Sequence, residues 1–190
     1  MSLSILSKVL GVCCPIVGWA CMAKDAYDVC TKPRRGPVQM FCMDHVKPIR
    51  GSIVCCDLAG HFEHSGVYVG GGLIVHRDGD GYLAKVDMHE FLRRLGGCNP
   101  SVTVFVSCCD DAPVGGRAIA NRALSALSDP SLAHGYNLLT KNCHQFSQYC
   151  VSGSVDNGLM DFSFSNLEDV LKRELGMNSW RVWDGCWEIA

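Results

Sequence analysis

The sequence predicts an α+β domain in which an antiparallel sheet is packed with helices. Short segments rich in strand formers, separated by glycine-rich turns, occupy the first half of the chain. Helical spacing takes over from Gly115 onward. Strands followed by helices, rather than a regular alternation of the two, are typical of α+β domains.

Length and composition fit a single globular domain. The chain has 190 residues, of which 48% are apolar and 19% charged, with a formal net charge of −2. This charge provides no long-range field that would concentrate a polyanion, so we expect no nucleic-acid partner.

The thirteen cysteines are expected to be mostly free thiols. Their number is odd, and three adjacent pairs do not resemble a disulfide framework: Cys13/Cys14, Cys55/Cys56 and Cys108/Cys109. Neighbouring residues on a strand point to opposite faces, so each strand pair should place its thiols on different sides. Free thiols suggest a reducing compartment, and we expect a cytoplasmic protein. No metal-ligand spacing such as CxxC is present, so neither a metal nor another cofactor is expected.

Residues 1–38 are interpreted as an apolar leader and linker. The segment 3–22 is apolar but contains Lys8 and Pro15, and it is too short to span a bilayer. A buried or amphipathic leader helix is expected, and export or membrane contact through residues 3–22 is the less favoured alternative. The folded domain is then expected over residues 39–190.

Three strands are predicted before residue 80. Gly51–Asp57 and Ser65–Gly70 are short runs rich in strand formers, and Leu73–His76 follows three consecutive glycines. Glycine accepts the positive φ angles of a tight turn, so the last two segments should form a hairpin. A further strand is expected over Ser101–Ser107, after a helix-like segment at Asp87–Leu95.

The helical half contains three predicted helices. The first begins near Gly115 and should end at Pro130. Asn142 is a favourable N-cap for the second, whose apolar positions recur at helical spacing up to Gly153. A capping-box pattern at Ser165 indicates the start of the third.

Cys143 is the candidate nucleophile. It follows the predicted N-cap directly, and the free amides and dipole at a helix start favour a thiolate. The same amides could bind the oxyanion of a tetrahedral intermediate. A cysteine at a helix start is more often a small buried hydrophobic residue, so the assignment depends on the surrounding residues.

Two histidines provide that context. His64 begins one hairpin strand and His76 ends its partner, at similar distances from the turn near Gly71. They can face each other on one side of the sheet, within reach of a hydrogen bond. His64 would then take the proton from Cys143, and His76 would orient His64, as a carboxylate does in other triads.

Two sequence blocks resemble a known family. His64-Ser-Gly-Val-Tyr-Val-Gly-Gly-Gly-Leu-Ile-Val-His76 and Asn142-Cys-His-Gln-Phe146 are similar to the signature blocks of the lecithin retinol acyltransferase-like family. That family is a circularly permuted branch of the NlpC-type, papain-like superfamily, in which histidine precedes cysteine along the chain. The resemblance covers roughly residues 50–153 and implies a papain-like catalytic triad of Cys143, His64 and His76. The second block also resembles the PPPDE isopeptidases, which lack the second histidine block in this form.

The sequence departs from the family pattern at two places. Gly51-Ser52 replaces the usual Gly-Asp, and His144 replaces the glutamate that follows the cysteine. His144 lies about 100° around the helix from Cys143, so we expect it on the helix surface or in an outer contact rather than as the base. Asn142, His144 and His61 are candidates for oxyanion or outer contacts; His61 is more readily explained as a solvated loop histidine.

The expected function is that of a cysteine hydrolase acting on an amide or ester bond through an acyl-thioester on Cys143. An acyltransferase using the same intermediate, or an isopeptidase, is the alternative, and a non-enzymatic binding module comes last. The partner would be a peptide, lipid-acyl or isopeptide substrate. The family resemblance alone does not choose between these substrates.

Overall fold

The computed structural model describes residues 45–58, 62–93, 103–133, 142–154 and 164–185. The leader and linker of residues 1–38, and His61, lie outside the described residues.

Most of the strands in the described part of the chain precede most of its helices. The strands are β1 His45–Val46, β2 Ile53–Leu58, β3 Phe62–Gly70, β4 Leu73–Arg77, β5 Leu83–Asp87, β6 Phe105–Cys109, β7 Ala112–Pro113 and β8 Ser179–Trp183. The helices are α1 Met88–Leu92, α2 Arg117–Ala126, α3 Pro130–Ala133, α4 Cys143–Ser152 and α5 Phe164–Leu175. The α+β class predicted from the sequence is confirmed.

These strands form one sheet in the order β1-β8-β6-β2-β3-β4-β5, and β7 pairs with the last two residues of β6, Cys108 and Cys109. The pairs β2–β3 and β3–β4 are antiparallel, as predicted, and β5, which was not predicted, pairs antiparallel with β4. The short β1 runs parallel to β8, so the sheet is mixed, and the antiparallel arrangement predicted from the sequence does not extend to this edge. Two residues paired with a strand near the other end of the chain leave no local sequence signal.

The sheet separates two apolar clusters. On one face, side chains of β2, β3, β4 and β6 pack against α2, α4 and α5, with Ile53, Val67 and Leu167 fully buried. On the other face, Val54, Ile74 and Val106 pack around Phe91 of α1. Strand alternation explains the division, because successive residues of one strand contribute to different clusters.

The adjacent cysteines follow this alternation. Cys55 belongs to the cluster beneath α2, α4 and α5, whereas Cys56 belongs to the cluster around Phe91. Cys108 is buried in that second cluster, and Cys109 is only partly buried. The predicted placement of paired thiols on opposite sides is therefore confirmed for Cys55 and Cys56, and the six cysteines within the described residues are thiols rather than disulfides.

Some element boundaries differ from the prediction. The strand predicted over Ser101–Ser107 is observed as β6, Phe105–Cys109. Pro130 does not simply end a helix, since α2 stops at Ala126 and Pro130 is the first residue of α3, where a missing amide is tolerated. Ser165 is not an N-cap, because α5 already begins at Phe164.

No helix in the described ranges is both long and apolar enough to cross a membrane. The membrane alternative raised for residues 3–22 concerns a segment outside those ranges.

Candidate active site

Cys143 is the first residue of α4, as the sequence predicts. The Asn142 side-chain oxygen accepts the Gln145 amide at 2.9 Å, and the Gln145 side chain returns a 3.4 Å contact to the Asn142 amide. This capping box fixes the start of the helix. The helix ends at Gly153, whose φ of 74° lets its amide bond the Tyr149 carbonyl. Asn142 thus uses its side-chain oxygen to cap the helix that carries the thiol.

The Cys143 thiol is enclosed, with the residue only 7% exposed. Burial raises its pKa, while hydrogen bonds from the Ser65 amide and hydroxyl and from the amides of Cys143 and His144 lower it. Burial has the larger effect in the resting protein, which is the reverse of what the helix position alone suggests. Enclosure thus favours the thiol, whereas the surrounding donors bind a thiolate more strongly than a thiol.

His64 and His76 are in direct contact. Nε2 of His64 lies 3.0 Å from Nδ1 of His76, and both residues are buried. The strand register pairs His76 with Gly66 rather than with His64, so the two imidazoles are diagonal neighbours. The hairpin closes at the Gly70–Leu73 pair, whose register alone would pair His76 with Val67, and the one-residue shift between Tyr68 and Gly70 moves the partner of His76 to Gly66.

Gly66 makes the diagonal contact possible. A Cβ atom at this position would lie 2.6 Å from Ile74 Cγ2 and 3.1 Å from His76 Cβ. The same atom would be 3.1 Å from the ring of Phe91. The missing side chain therefore leaves the space in which the two imidazoles meet.

Phe91 of α1 covers the histidine pair. Its ring centroid lies 5.0 Å from that of His64 and 5.5 Å from that of His76, and the residue is fully buried. Edge and tilted contacts of this kind hold rings in fixed orientations. The sequence gives no signal for this role, because Phe91 lies 15 residues beyond His76 on a separate five-residue helix.

Ser65 connects the histidine pair to the thiol. The β3–β4 ladder runs from Gly66–His76 to Gly70–Leu73. Backbone amides along a strand point alternately to its two neighbouring strands. The Tyr68 amide donates to the Ser52 carbonyl on the β2 side, so the Ser65 amide, three residues earlier, points to the β4 side. It lies one residue beyond the Gly66–His76 pair at which the β3–β4 pairing ends. The Ser65 amide lowers the pKa of the Cys143 thiol, which indicates that the sulfur lies near the peptide that joins His64 to Ser65.

His144 faces the sheet rather than the solvent. Its Nδ1 lies 3.0 Å from Ser65 Oγ and 3.9 Å from Cys143 Sγ, and the side chain is buried. Burial lowers its pKa to about 4, although a backbone hydrogen bond to Glu63 acts in the opposite direction. The expectation of a helix-surface position is wrong, and the outer-contact alternative describes this residue.

Three further side chains at the site, those of Ser65, Ser147 and Arg77, were not predicted from the sequence. Ser147 Oγ lies 3.0 Å from Ser65 Oγ. Arg77 is buried and donates to the carbonyls of Gly81 at 2.9 Å and Leu132 at 2.6 Å. Burial lowers the Arg77 pKa, and the electrostatic interaction with Cys143 raises it. The one usable signal was adjacency, since Ser65 follows His64 and Arg77 follows His76.

The other buried thiols lack this environment. Burial raises the pKa of Cys108 to about 11, and it also raises that of Cys150. Neither residue begins a helix, and Cys150 lies in the last turn and a half of α4. Of the cysteines within the described ranges, Cys143 alone combines a helix start with contact to a histidine side chain.

Comparisons of this chain with protein-family models, with curated proteins and with solved structures yield no match.

Proposed function

We propose that this chain is a cysteine hydrolase of the circularly permuted papain-like kind, which cleaves an amide or ester bond through an acyl-thioester. Cys143 would be the nucleophile, His64 the general base and His76 the residue that orients His64. The observation that carries the proposal is the placement of a helix-capped thiol against the peptide following His64, with His64 held by His76 at 3.0 Å.

The histidine contact assigns the protons. For His64 Nδ1 to act as the base, its proton must be on Nε2, which then donates to Nδ1 of His76. An orienting group fixes the tautomer of the base in the same way in the serine protease triad, although there the bonded nitrogen is Nδ1 and the base is Nε2. His76 would in turn stabilise the imidazolium that His64 becomes.

The reaction then proceeds in two balanced halves. The Cys143 thiol gives its proton to His64 as the sulfur attacks the carbonyl carbon, and a tetrahedral oxyanion forms. Amides of the first turn of α4 would stabilise that oxyanion. His64 returns the proton to the leaving amine or alcohol as the thioester forms. Water, deprotonated by His64, then attacks the thioester, releases the acid and restores the thiol.

The resemblance to the lecithin retinol acyltransferase-like blocks supports the same reading, and the observed hairpin and helix contain the residues that carry the resemblance. A transferase or isopeptidase would share the first half of the reaction. Only the acceptor or the attacked bond differs between them.

A test is to incubate the full chain with an activated acyl ester and record its intact mass. The mass should rise by one acyl group on Cys143, and hydroxylamine should remove the group because it cleaves thioesters. The Cys143→Ala variant should remain unmodified. A Cys150→Ala variant is the matched control, because Cys150 lies on the same helix but is buried away from its start, and it should acylate like the wild type.

Turnover that survives in Cys143→Ala would overturn the proposal. Discharge of the acyl-enzyme to an added amine faster than to water would instead assign the transferase variant of the same chemistry.

A further inference from the structure

Tyr82 presents an aromatic ring to solvent in the turn between β4 and β5. Across the described residues, Ile49 and Tyr82 are the large hydrophobic side chains that remain exposed, at 47% and 56%. Single exposed apolar residues are common on protein surfaces and need no explanation by themselves. Tyr82 differs from Ile49 in its position beside the histidine pair and in the way its turn is held.

The turn lies at the histidine end of the sheet. The register of β4 and β5 pairs His76 with Ala84. The Asp78 amide donates to the Tyr82 carbonyl at 2.8 Å, so the antiparallel pairing continues to the base of the turn. Tyr82 therefore lies two residues beyond the partner of His76, which is about 7 Å along the strand.

Strand alternation gives the face of the sheet on which Tyr82 lies. Leu83 packs against the apolar cluster beneath α2, α4 and α5, whereas Ala84 packs against the cluster around Phe91. Successive residues point to opposite faces, so Tyr82 is on the same face as Ala84. This is also the face on which His76 contacts Phe91. The exposed ring therefore lies at the end of the sheet that carries the histidine pair, and on the same side.

The buried Arg77 holds this turn in place. Its guanidinium donates to the Gly81 carbonyl at 2.9 Å and to the Leu132 carbonyl of α3 at 2.6 Å. Within the turn, the Gly81 amide donates to the Asp78 carbonyl at 2.9 Å. These bonds fix the residue that precedes Tyr82. A ring on a backbone fixed in this way loses little conformational entropy when a ligand contacts it.

We propose that Tyr82 is a specificity-determining residue whose ring contacts an aromatic group in the acyl part of the substrate that is transferred to Cys143. This inference rests on the proposed function in taking Cys143 as the acylated residue. Contact between two rings contributes attraction beyond the area that it buries, because the rings adopt offset or edge-on arrangements. Acyl groups that carry a ring are then favoured over short acyl groups without one.

The test compares p-nitrophenyl hydrocinnamate with p-nitrophenyl acetate as substrates of the full chain. The wild type should have the higher kcat/KM with the hydrocinnamate. The ratio of the two values should fall on the order of tenfold in Tyr82→Ala, because the phenyl group loses its contact. Tyr82→Phe keeps the ring and should keep the wild-type ratio. A wild-type ratio that does not exceed one, or an equal ratio in Tyr82→Ala, overturns the proposal.

Ile49→Ala is the matched control. Ile49 is exposed to a similar extent but lies near the glycine turn, at the other end of the hairpin, because the amide of Gly51 donates to the Tyr68 carbonyl. This variant should leave the ratio unchanged. A ratio that falls equally in Ile49→Ala would overturn the assignment to Tyr82.

Alkylation of Cys143 by N-benzylmaleimide and N-methylmaleimide measures the same contact without hydrolysis. The ratio of the two rates, read by peptide mass spectrometry, should also fall in Tyr82→Ala. A ratio that depends on Tyr82 in a protein that never forms an acyl-enzyme removes the hydrolase proposal alone. An acyl-enzyme on Cys143, with both ratios unchanged in Tyr82→Ala, removes the role of Tyr82 alone.

Discussion

His64 and Ser65 are neighbours in β3, yet they point to opposite faces of the sheet because side chains alternate along a strand. His64 meets His76 beneath Phe91, whereas Ser65 meets His144 and Ser147 beneath α4. Cys143 lies near the peptide between the two faces, as the effect of the Ser65 amide on its pKa indicates. One dipeptide therefore supplies both a candidate base and an amide near the sulfur.

The two histidines should differ in their sensitivity to substitution. We expect His64→Ala to lower kcat/KM with an activated ester on the order of 10³-fold or more, because the base is lost. His76→Gln should be milder, since the glutamine oxygen can still accept from His64 Nε2. His89→Ala is the control, because His89 is exposed on α1 and should not affect the rate. Equal losses at positions 64 and 76 would contradict the assigned roles.

At the scale of single residues, the sequence does not show how burial changes the pKa and the orientation of a side chain. It identified Cys143, His64 and His76 as candidates, and the structure places the two imidazoles in contact. It did not anticipate that enclosure would raise the thiol pKa above its ordinary value, or that His144 would turn inward. Both outcomes depend on the packing of α4 against β3, which one segment of sequence cannot specify.

Among the elements, the β3–β4 hairpin and α1 form a tight three-part contact around Gly66. Gly66 lies in β3, and the side chains that approach it are those of Ile74 and His76 in β4 and Phe91 in α1. They lie so close to its α-carbon that a methyl group would not fit. The hairpin was predictable because three glycines separate two strand-like runs. The contact with α1 was not, because it joins segments that have no common local pattern.

Gly66→Ala should therefore affect stability and activity together. The added methyl must displace Ile74, His76 or Phe91, and overpacking of this kind typically costs about 1–3 kcal/mol of unfolding free energy. Displacing His76 should also lengthen its bond to His64 and lower kcat. Urea unfolding and ester turnover measure the two effects. Gly79→Ala serves as the control, because a methyl group there meets no atom within 4 Å, and it should change neither quantity appreciably. A Gly66→Ala protein with wild-type stability would show that this contact is looser than described.

At the scale of the whole molecule, the sheet divides two apolar clusters, and the buried His144 links pH to the stability of the larger one. Its folded-state pKa of about 4 lies below the ordinary histidine value of about 6.5. Between these values the unfolded chain binds a proton that the folded chain does not, so the free energy of unfolding falls as pH decreases from 6.5 to 4. Below pH 4 both states are protonated and this contribution no longer changes.

His144→Asn should remove this part of the pH dependence. Between pH 7 and pH 4, the wild type should lose about 3 kcal/mol more unfolding free energy than the variant, from the pKa difference of His144. Urea denaturation of both proteins at the two pH values measures the difference, and groups common to both proteins cancel. Parallel pH profiles would show that the pKa of His144 is the same in the folded and unfolded states.

The class of the molecule was the most predictable property, because strand and helix periodicities separate along the chain. The edges of the sheet were not predictable. β1 has two residues, and its parallel partner β8 lies more than 130 residues away in sequence. The energy of such a pairing depends on the completed sheet, so it leaves no local pattern to read.

The alternation of His64 and Ser65 makes chemical competence depend on strand alignment. Slipping β3 by one residue against β2 and β4 would exchange the two faces. It would place the imidazole beneath α4 and the hydroxyl beneath Phe91, and would separate His64 from His76 and Ser65 from His144 in a single event. A misaligned hairpin can still be compact and rich in strands, but it lacks the arrangement that the proposed reaction needs. A single-residue deletion in β3 before His64 leaves the pairing from His64 onward available, whereas a deletion between Ser65 and the glycine turn changes which residue faces His76. Insertions and deletions on the two sides of this dipeptide should therefore be tolerated very differently.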